Sequence, residues 1–155
     1  KTRAIAENFA WVHSVDRLKI AGRLSEQRPA HLPPLQVCLQ VNISGEDSKS
    51  GVSPDEVGAL AHAIAKLPRL KLRGLMTVPA PCDGIAAQRL PFARLRELRD
   101  RLNQQGLHLD TLSMGMSHDF AAAIAEGATM VRIGSAIFGP RRSTIPEELA
   151  ARAAR

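Results

Sequence analysis

The feature that most constrains this chain is an alternation. Strand-like apolar runs at positions 11–15, 35–43, 70–78, 109–114 and 130–138 are separated by segments whose apolar residues recur at helical spacing. Strands that alternate with helices pair in parallel through right-handed crossovers. Several helical segments carry readable ends. From Asp16, the positions Leu18, Ala21 and Leu24 repeat until Pro29 stops the run. Ser53-Pro54-Asp55-Glu56 offers an N-cap serine, a proline at the first helical position and a glutamate in capping-box register. Val57, Leu60, Ala61 and Ile64 then form a buried face, and Pro68 ends it. Phe92, Leu95, Leu98 and Leu102 mark a third helix closed by Gly106 at C′. A fourth runs from Asp119 through Ala123 and Ile124 to Gly127, and a weaker one starts near Pro146.

Two α/β architectures meet this pattern, an open doubly wound sheet and a closed (β/α)₈ barrel. The chain has 155 residues, enough for one domain over 1–155. A full barrel typically takes about 250 residues, so length alone favours the open sheet.

Composition excludes other classes. Lys+Arg total 21 and Asp+Glu 15, a formal charge of +6. That excess raises nucleic acid as a partner. However, Arg17, Arg23, Arg28, Arg94, Arg96, Arg99 and Arg101 are interleaved with Asp16, Glu26, Glu97 and Asp100, which reads as solvated helix surface. With Trp11, four Phe and no Tyr, a stacking platform for single strands is lacking as well. No apolar run reaches the roughly 20 residues of a membrane helix. Cys38 and Cys82 lie far apart, which excludes a disulfide scaffold and a zinc module and points to the cytoplasm. The chain opens on Lys1 rather than Met, as expected of a trimmed chain or a part of a longer one.

The last third carries the chemistry. The strand that includes Leu112-Ser113-Met114 leads into Gly115-Met116-Ser117-His118-Asp119 and then a helix. Small residues with free N–H groups at a helix start suit an anion, and the Ser117 hydroxyl adds a donor. Ser117 is equally readable as the N-cap of that helix. The next run places Arg132 among apolar residues, directly before Gly134-Ser135. A buried guanidinium is costly unless paired, so Arg132 implies either a distant acid or a ligand. Two consecutive strand ends thus present donor-rich residues. In barrels, phosphate is frequently held after the last two strands, which turns the preference toward a barrel's C-terminal half.

These segments resemble the pyridoxal-phosphate homeostasis protein family, similar in fold to the N-terminal domain of alanine racemase. The resemblance rests on Trp11-Val12-His13-Ser14-Val15-Asp16-Arg17-Leu18-Lys19-Ile20-Ala21, on Val41-Asn42-Ile43-Ser44 with Ser48-Lys49-Ser50-Gly51, and on Arg73-Gly74-Leu75-Met76-Thr77. It rests above all on Leu112-Ser113-Met114-Gly115-Met116-Ser117 taken with Val131-Arg132-Ile133-Gly134-Ser135-Ala136-Ile137-Phe138-Gly139. It implies an α/β fold, a partial (β/α)₈ TIM-type barrel comprising about the last five βα units. It also implies that pyridoxal 5'-phosphate is bound, with Ser117, Gly134 and Ser135 on its phosphate and Arg132 facing its pyridine nitrogen. Met116, beside Ser117, belongs to the same cofactor-binding set, although Met76, Met114 and Met116 also read as barrel filling. Ser135 stands where many members have Thr, which keeps the hydroxyl.

The family's Schiff-base lysine sits on the first barrel strand. By the resemblance, Lys1-Thr2-Arg3 falls after the third strand, so about three βα units lie outside this chain. Of the lysines present, Lys49 in Ser48-Lys49-Ser50-Gly51 is the most exposed amine near a strand end. In 70–76, Lys71 and Arg73 share one face opposite Leu70 and Leu72. His13 shares a face with Trp11 and Val15, as a satisfied core histidine would. His118 reads as surface, Asn42 as a candidate to face the cofactor, Cys38 as inert packing and Cys82 as a loop thiol.

The expected function is a non-catalytic carrier in intracellular pyridoxal phosphate homeostasis, with pyridoxal-phosphate-requiring apoenzymes as recipients. No catalytic or metal-ligating residue is assigned. An amino-acid racemase is the alternative; it needs a lysine and a tyrosine as opposed bases, and Tyr is absent. A sugar-phosphate-binding barrel is a third reading.

Overall fold

The computed structural model describes residues 1–46 and 50–139. Five parallel strands, β1 (Trp11–Val15), β2 (Leu35–Gln40), β3 (Leu70–Met76), β4 (Thr111–Met116) and β5 (Met130–Arg132), lie side by side in chain order. Between and around them run α1 (Thr2–Asn8), α2 (Leu18–Gln27), α3 (Val57–Ala65), α4 (Ile85–Gln104), α5 (Phe120–Ala125) and α6 (Ser135–Phe138). A doubly wound sheet reverses its strand order at a switch point, whereas this one never does. The unbroken order is that of a barrel wall, and the fold is a partial (β/α)₈ barrel with β1 and β5 as its edges.

The two faces of the wall differ as a barrel requires. Leu35, Val37, Leu39, Leu75, Leu112 and Met114 are fully buried against Leu24, Ile64, Phe92 and Leu95 of the helices. Burying each such side chain contributes roughly 1.5–3 kcal/mol, so this layer supplies most of the cohesion. The opposite face is polar. There Arg73 donates to Gln36 Oε1 at 2.9 Å and to both Asp110 oxygens, with its guanidinium carbon 4.9 Å from the Trp11 ring centroid. The Arg73 guanidinium in turn holds the Asp110 carboxyl below its ordinary range.

Element ends depart from the sequence expectation in instructive ways. β5 ends at Arg132 instead of running to 138, because Gly134 (φ −122°, ψ −77°) leaves the extended region and 135–138 coils into α6. β4 reaches Met116, so Gly115 lies inside the strand. The Ser53 hydroxyl does bond Glu56 Oε2 at 2.5 Å, but 54–56 form a turn and α3 starts at Val57. α4 begins at Ile85, about two turns before Phe92, and accommodates Pro91. Gly106 (φ +93°) takes the C′ role expected of it. The expected helix near Pro146 lies outside the described residues.

Two buried charges hold the helices in place. Arg28 is buried rather than solvated, and it donates to Pro33 O, Ala6 O and Phe9 O at 2.7–2.8 Å. This hub fixes α1, which has no apolar stripe of its own. Glu126, at the end of α5, is clamped by Arg89 Nε at 2.7 Å and by Arg96, both from α4. The clamp sets the position of α5 and hence of the β4–α5 turn.

Candidate functional site

The carboxyl ends of β4 and β5 open onto a cleft of about 820 Å³. Met116, Ser117, Arg132, Gly134 and Ser135 all line it. The five residues singled out in the sequence are therefore brought together, from two segments 15 positions apart in the chain. Val78, His118, Ile133, Phe138 and Gly139 complete the walls.

Ser117 is not the N-cap of α5; that position is Asp119. The Ser117 hydroxyl oxygen instead accepts the amide N–H groups of Gly134 (3.1 Å) and Ala136 (3.2 Å). A hydroxyl that accepts twice is polarised and keeps its own proton to donate. The Asp119 carboxylate turns back to accept Met116 N–H at 2.6 Å, which fixes the strand end that carries Ser117. It also meets the half-exposed His118 Nε2 at 3.2 Å. With α5 only six residues long and α6 four, the donors here are individual groups rather than a helix macrodipole.

Arg132 has neutral partners in place of a distant acid. Among the described residues it forms no ion pair. Its Nη1 donates to Ser113 Oγ (2.6 Å) and Ser113 O (3.2 Å), and its Nη2 to Thr77 O (2.9 Å). A guanidinium has five N–H groups, so Nε–H and one Nη2–H remain without a partner among the described residues. Burial draws its pKa below the ordinary guanidinium value, with the Asp119 carboxylate opposing that drift. A half-buried cation is thus held by neutral acceptors, with two donors to spare, on the wall of a cleft.

Sequence reasoning missed the props beneath it. Thr77 is buried, and its hydroxyl donates to Val41 O at 2.9 Å while its carbonyl takes Arg132. Ser113 is fully buried and contacts His13 Nδ1 at 2.8 Å through its hydroxyl. A serine inside an apolar strand was the one available signal. His13 is half-buried rather than in the core, its ring centroid 5.7 Å from that of Trp11, with Ser113 Oγ as its hydrogen-bond partner. Asn42 does not line the cleft; it closes its own turn, donating to Glu46 O and accepting from Gly45 N. Burial pushes the Cys38 thiol up to about 12, which makes it inert packing. Lys49 lies outside the described residues.

His13 gives the fold a pH dependence. Burial lowers its pKa below the ordinary value near 6.5, and the Arg132 charge lowers it further. The folded protein then prefers neutral His13, while the unfolded chain takes up a proton on passing below 6.5. Stability is therefore expected to hold above that pH and to fall as the pH drops toward the folded value. Urea midpoints between pH 7.5 and 5 check this, with His13→Asn expected to flatten part of the slope.

Residues 1–142 match the family model described as alanine racemase, N-terminal domain. The chain is 68% identical over 141 residues to the pyridoxal phosphate homeostasis protein of Pseudomonas aeruginosa, and 54% identical over 141 residues to that of Escherichia coli K12. Each alignment covers 91% of this chain and 60% of the relative, so the chain spans about three-fifths of the length of these curated relatives. Among solved structures it is similar to PipY of Synechococcus elongatus PCC7942 without PLP, with TM-score 0.81 and 37% identity over 90% of this chain and 66% of that one. PipY with PLP bound gives TM-score 0.79 and 34% identity over 90% and 65%. Alanine racemase from Corynebacterium glutamicum, at 18% identity and TM-score 0.64 over 90% of this chain and 38% of that one, shares the fold.

Proposed function

The chain belongs to the alanine racemase N-terminal domain family, and from that premise we propose that it binds pyridoxal 5'-phosphate in the β4–β5 cleft and serves as a non-catalytic carrier of that cofactor. The observation that carries the reading is the pair of spare N–H groups on Arg132 in the same cleft as the polarised Ser117 hydroxyl. One feature suits a ring nitrogen with a lone pair, the other a phosphate. The names of the curated relatives and the PLP-bound PipY neighbour support the same ligand.

In this reading Ser117, Gly134 and Ser135 hold the phosphate, with Met116 against the ring. Arg132 takes the pyridine nitrogen. When bound, the cofactor supplies an electron-accepting pyridine ring and an aldehyde. An arginine is permanently protonated, so it donates to the ring nitrogen and withholds a full proton from it. The ring is then a weaker electron sink than one paired with a carboxylate, which suits storage better than carbanion chemistry. The partners that a carrier implies are pyridoxal-phosphate-requiring apoenzymes, in the cytoplasm.

Titration of this chain with pyridoxal 5'-phosphate, followed by borohydride reduction and peptide mapping, tests the reading. Saturable binding is expected without a stoichiometric lysine adduct. Ser117→Ala is expected to weaken binding about tenfold, the worth of one hydrogen bond to a charged group. Parent-like binding by Ser117→Ala would remove the phosphate assignment.

A further inference from the structure

Arg132 does not hold itself in place. Its Nη1 reaches Ser113 Oγ at 2.6 Å, and the same oxygen lies 2.8 Å from His13 Nδ1. A serine hydroxyl has one proton. The guanidinium can only donate, so Ser113 accepts from Arg132 and has its proton left over. His13 Nδ1 is the acceptor within reach. Taking that proton requires the bare nitrogen of a neutral imidazole, with the ring proton on Nε2. The three residues come from β1, β4 and β5, so the relay crosses the inner face of the wall. It uses both Nη1 hydrogens, since Ser113 O takes the second, and Thr77 O takes one from Nη2. The guanidinium plane is thereby fixed by three acceptors, and what stays free is the Nε–H and one Nη2–H.

We propose that Ser113 and His13 are positioning residues for Arg132: the hydroxyl, locked in one rotor by His13, orients the guanidinium so that its two spare N–H groups serve the ring-nitrogen end of the cleft ligand. This rests on the reading of the cleft as a pyridoxal phosphate site. The relay itself makes a separate claim about His13, which can be read without any ligand. Protonating Nδ1 would remove the acceptor that locks Ser113 and would add a second cation beside Arg132. Arg132 is the charged group that acts on His13, and the Asp119 carboxylate acts on Arg132 from the β4–α5 turn, while the Cys38 thiol on β2 stays neutral.

Two measurements test the proposal. The first is ¹⁵N NMR of the histidine rings in the full chain at pH 7.5. His13 is expected as the neutral tautomer with Nδ1 unprotonated; a proton on Nδ1 would overturn the relay. The second compares pyridoxal 5'-phosphate with benzyl phosphate, which keeps the ring and phosphate and has no ring nitrogen. Ser113→Ala and His13→Ala are each expected to weaken pyridoxal phosphate about tenfold and benzyl phosphate less than about twofold. His13→Asn, whose Oδ1 replaces the lost acceptor, is expected to restore binding. An equal loss for both ligands, or no loss for either, would overturn the positioning role. If the parent chain binds neither ligand, the cleft reading itself fails, and the NMR result still decides the relay.

Discussion

Arg132→Ala is expected to lower the affinity of this chain for pyridoxal 5'-phosphate by about 30- to 150-fold while leaving the denaturation midpoint nearly unchanged. The first number follows from removing a charge-assisted donor to a buried acceptor, worth about 2–3 kcal/mol. The second follows from what Arg132 costs the fold. Its charge is half-buried and no carboxylate pairs with it among the described residues. Removing a guanidinium of this kind relieves desolvation, which offsets the loss of its bonds to Ser113 O, Ser113 Oγ and Thr77 O. Arg132→Lys is expected to recover little, because an ammonium lacks the planar fork that meets three acceptors and a ligand at once. Absorbance titration and urea denaturation of the same variants separate the two roles. A midpoint that falls in step with affinity would make Arg132 a structural strut and not a binding residue.

How much of this was legible in the sequence differs between wall and site, for physical reasons. The outward face of each strand must be apolar where it meets helices, so Leu35, Val37 and Leu39 announce β2 without ambiguity. The end of β5 was not legible, because Ile133, Ala136, Ile137 and Phe138 are apolar and a short apolar run has no period that separates strand from helix. Only the backbone of Gly134 decides it. α1 has no stripe and no capping side chain; a tertiary hub at Arg28 fixes it, and no local pattern encodes that. The five cleft residues were legible one strand end at a time. Their convergence was expected from barrel topology and the family resemblance, since consecutive parallel strands present their carboxyl ends side by side. The support beneath Arg132 was not, because two of its three acceptors are backbone carbonyls, which every residue carries. The third, Ser113, looked like an ordinary polar break in an apolar strand.

The seam between β3 and β4 is where the wall has least tolerance, and Gly74→Ala is expected to cost more than about 4 kcal/mol there. Gly74 lies opposite Thr111 in the ladder, and a Cβ on it would sit 1.8 Å from Thr111 O and 2.6 Å from Thr111 C. Ordinary overpacking costs about 1–3 kcal/mol because side chains yield. Here the obstacle is backbone, so relief requires parting the strands. That would break Asp110 N–H to Arg73 O (2.9 Å) on one side and Thr77 N–H to Ser113 O (3.2 Å) on the other. Thr77 and Ser113 are also the residues that hold Arg132, so any part-folded Gly74→Ala protein is expected to lose the Arg132 side of the cleft first. Gly58 supplies the opposite sign within the same molecule. It lies in α3 with nothing within 4 Å of its added Cβ, so Gly58→Ala is expected to stabilise by about 0.5–1 kcal/mol through helix propensity. Urea midpoints for the pair decide the matter: a Gly74→Ala protein within about 1 kcal/mol of the parent would mean that the β3–β4 approach is looser than described, because backbone oxygens cannot be displaced that cheaply.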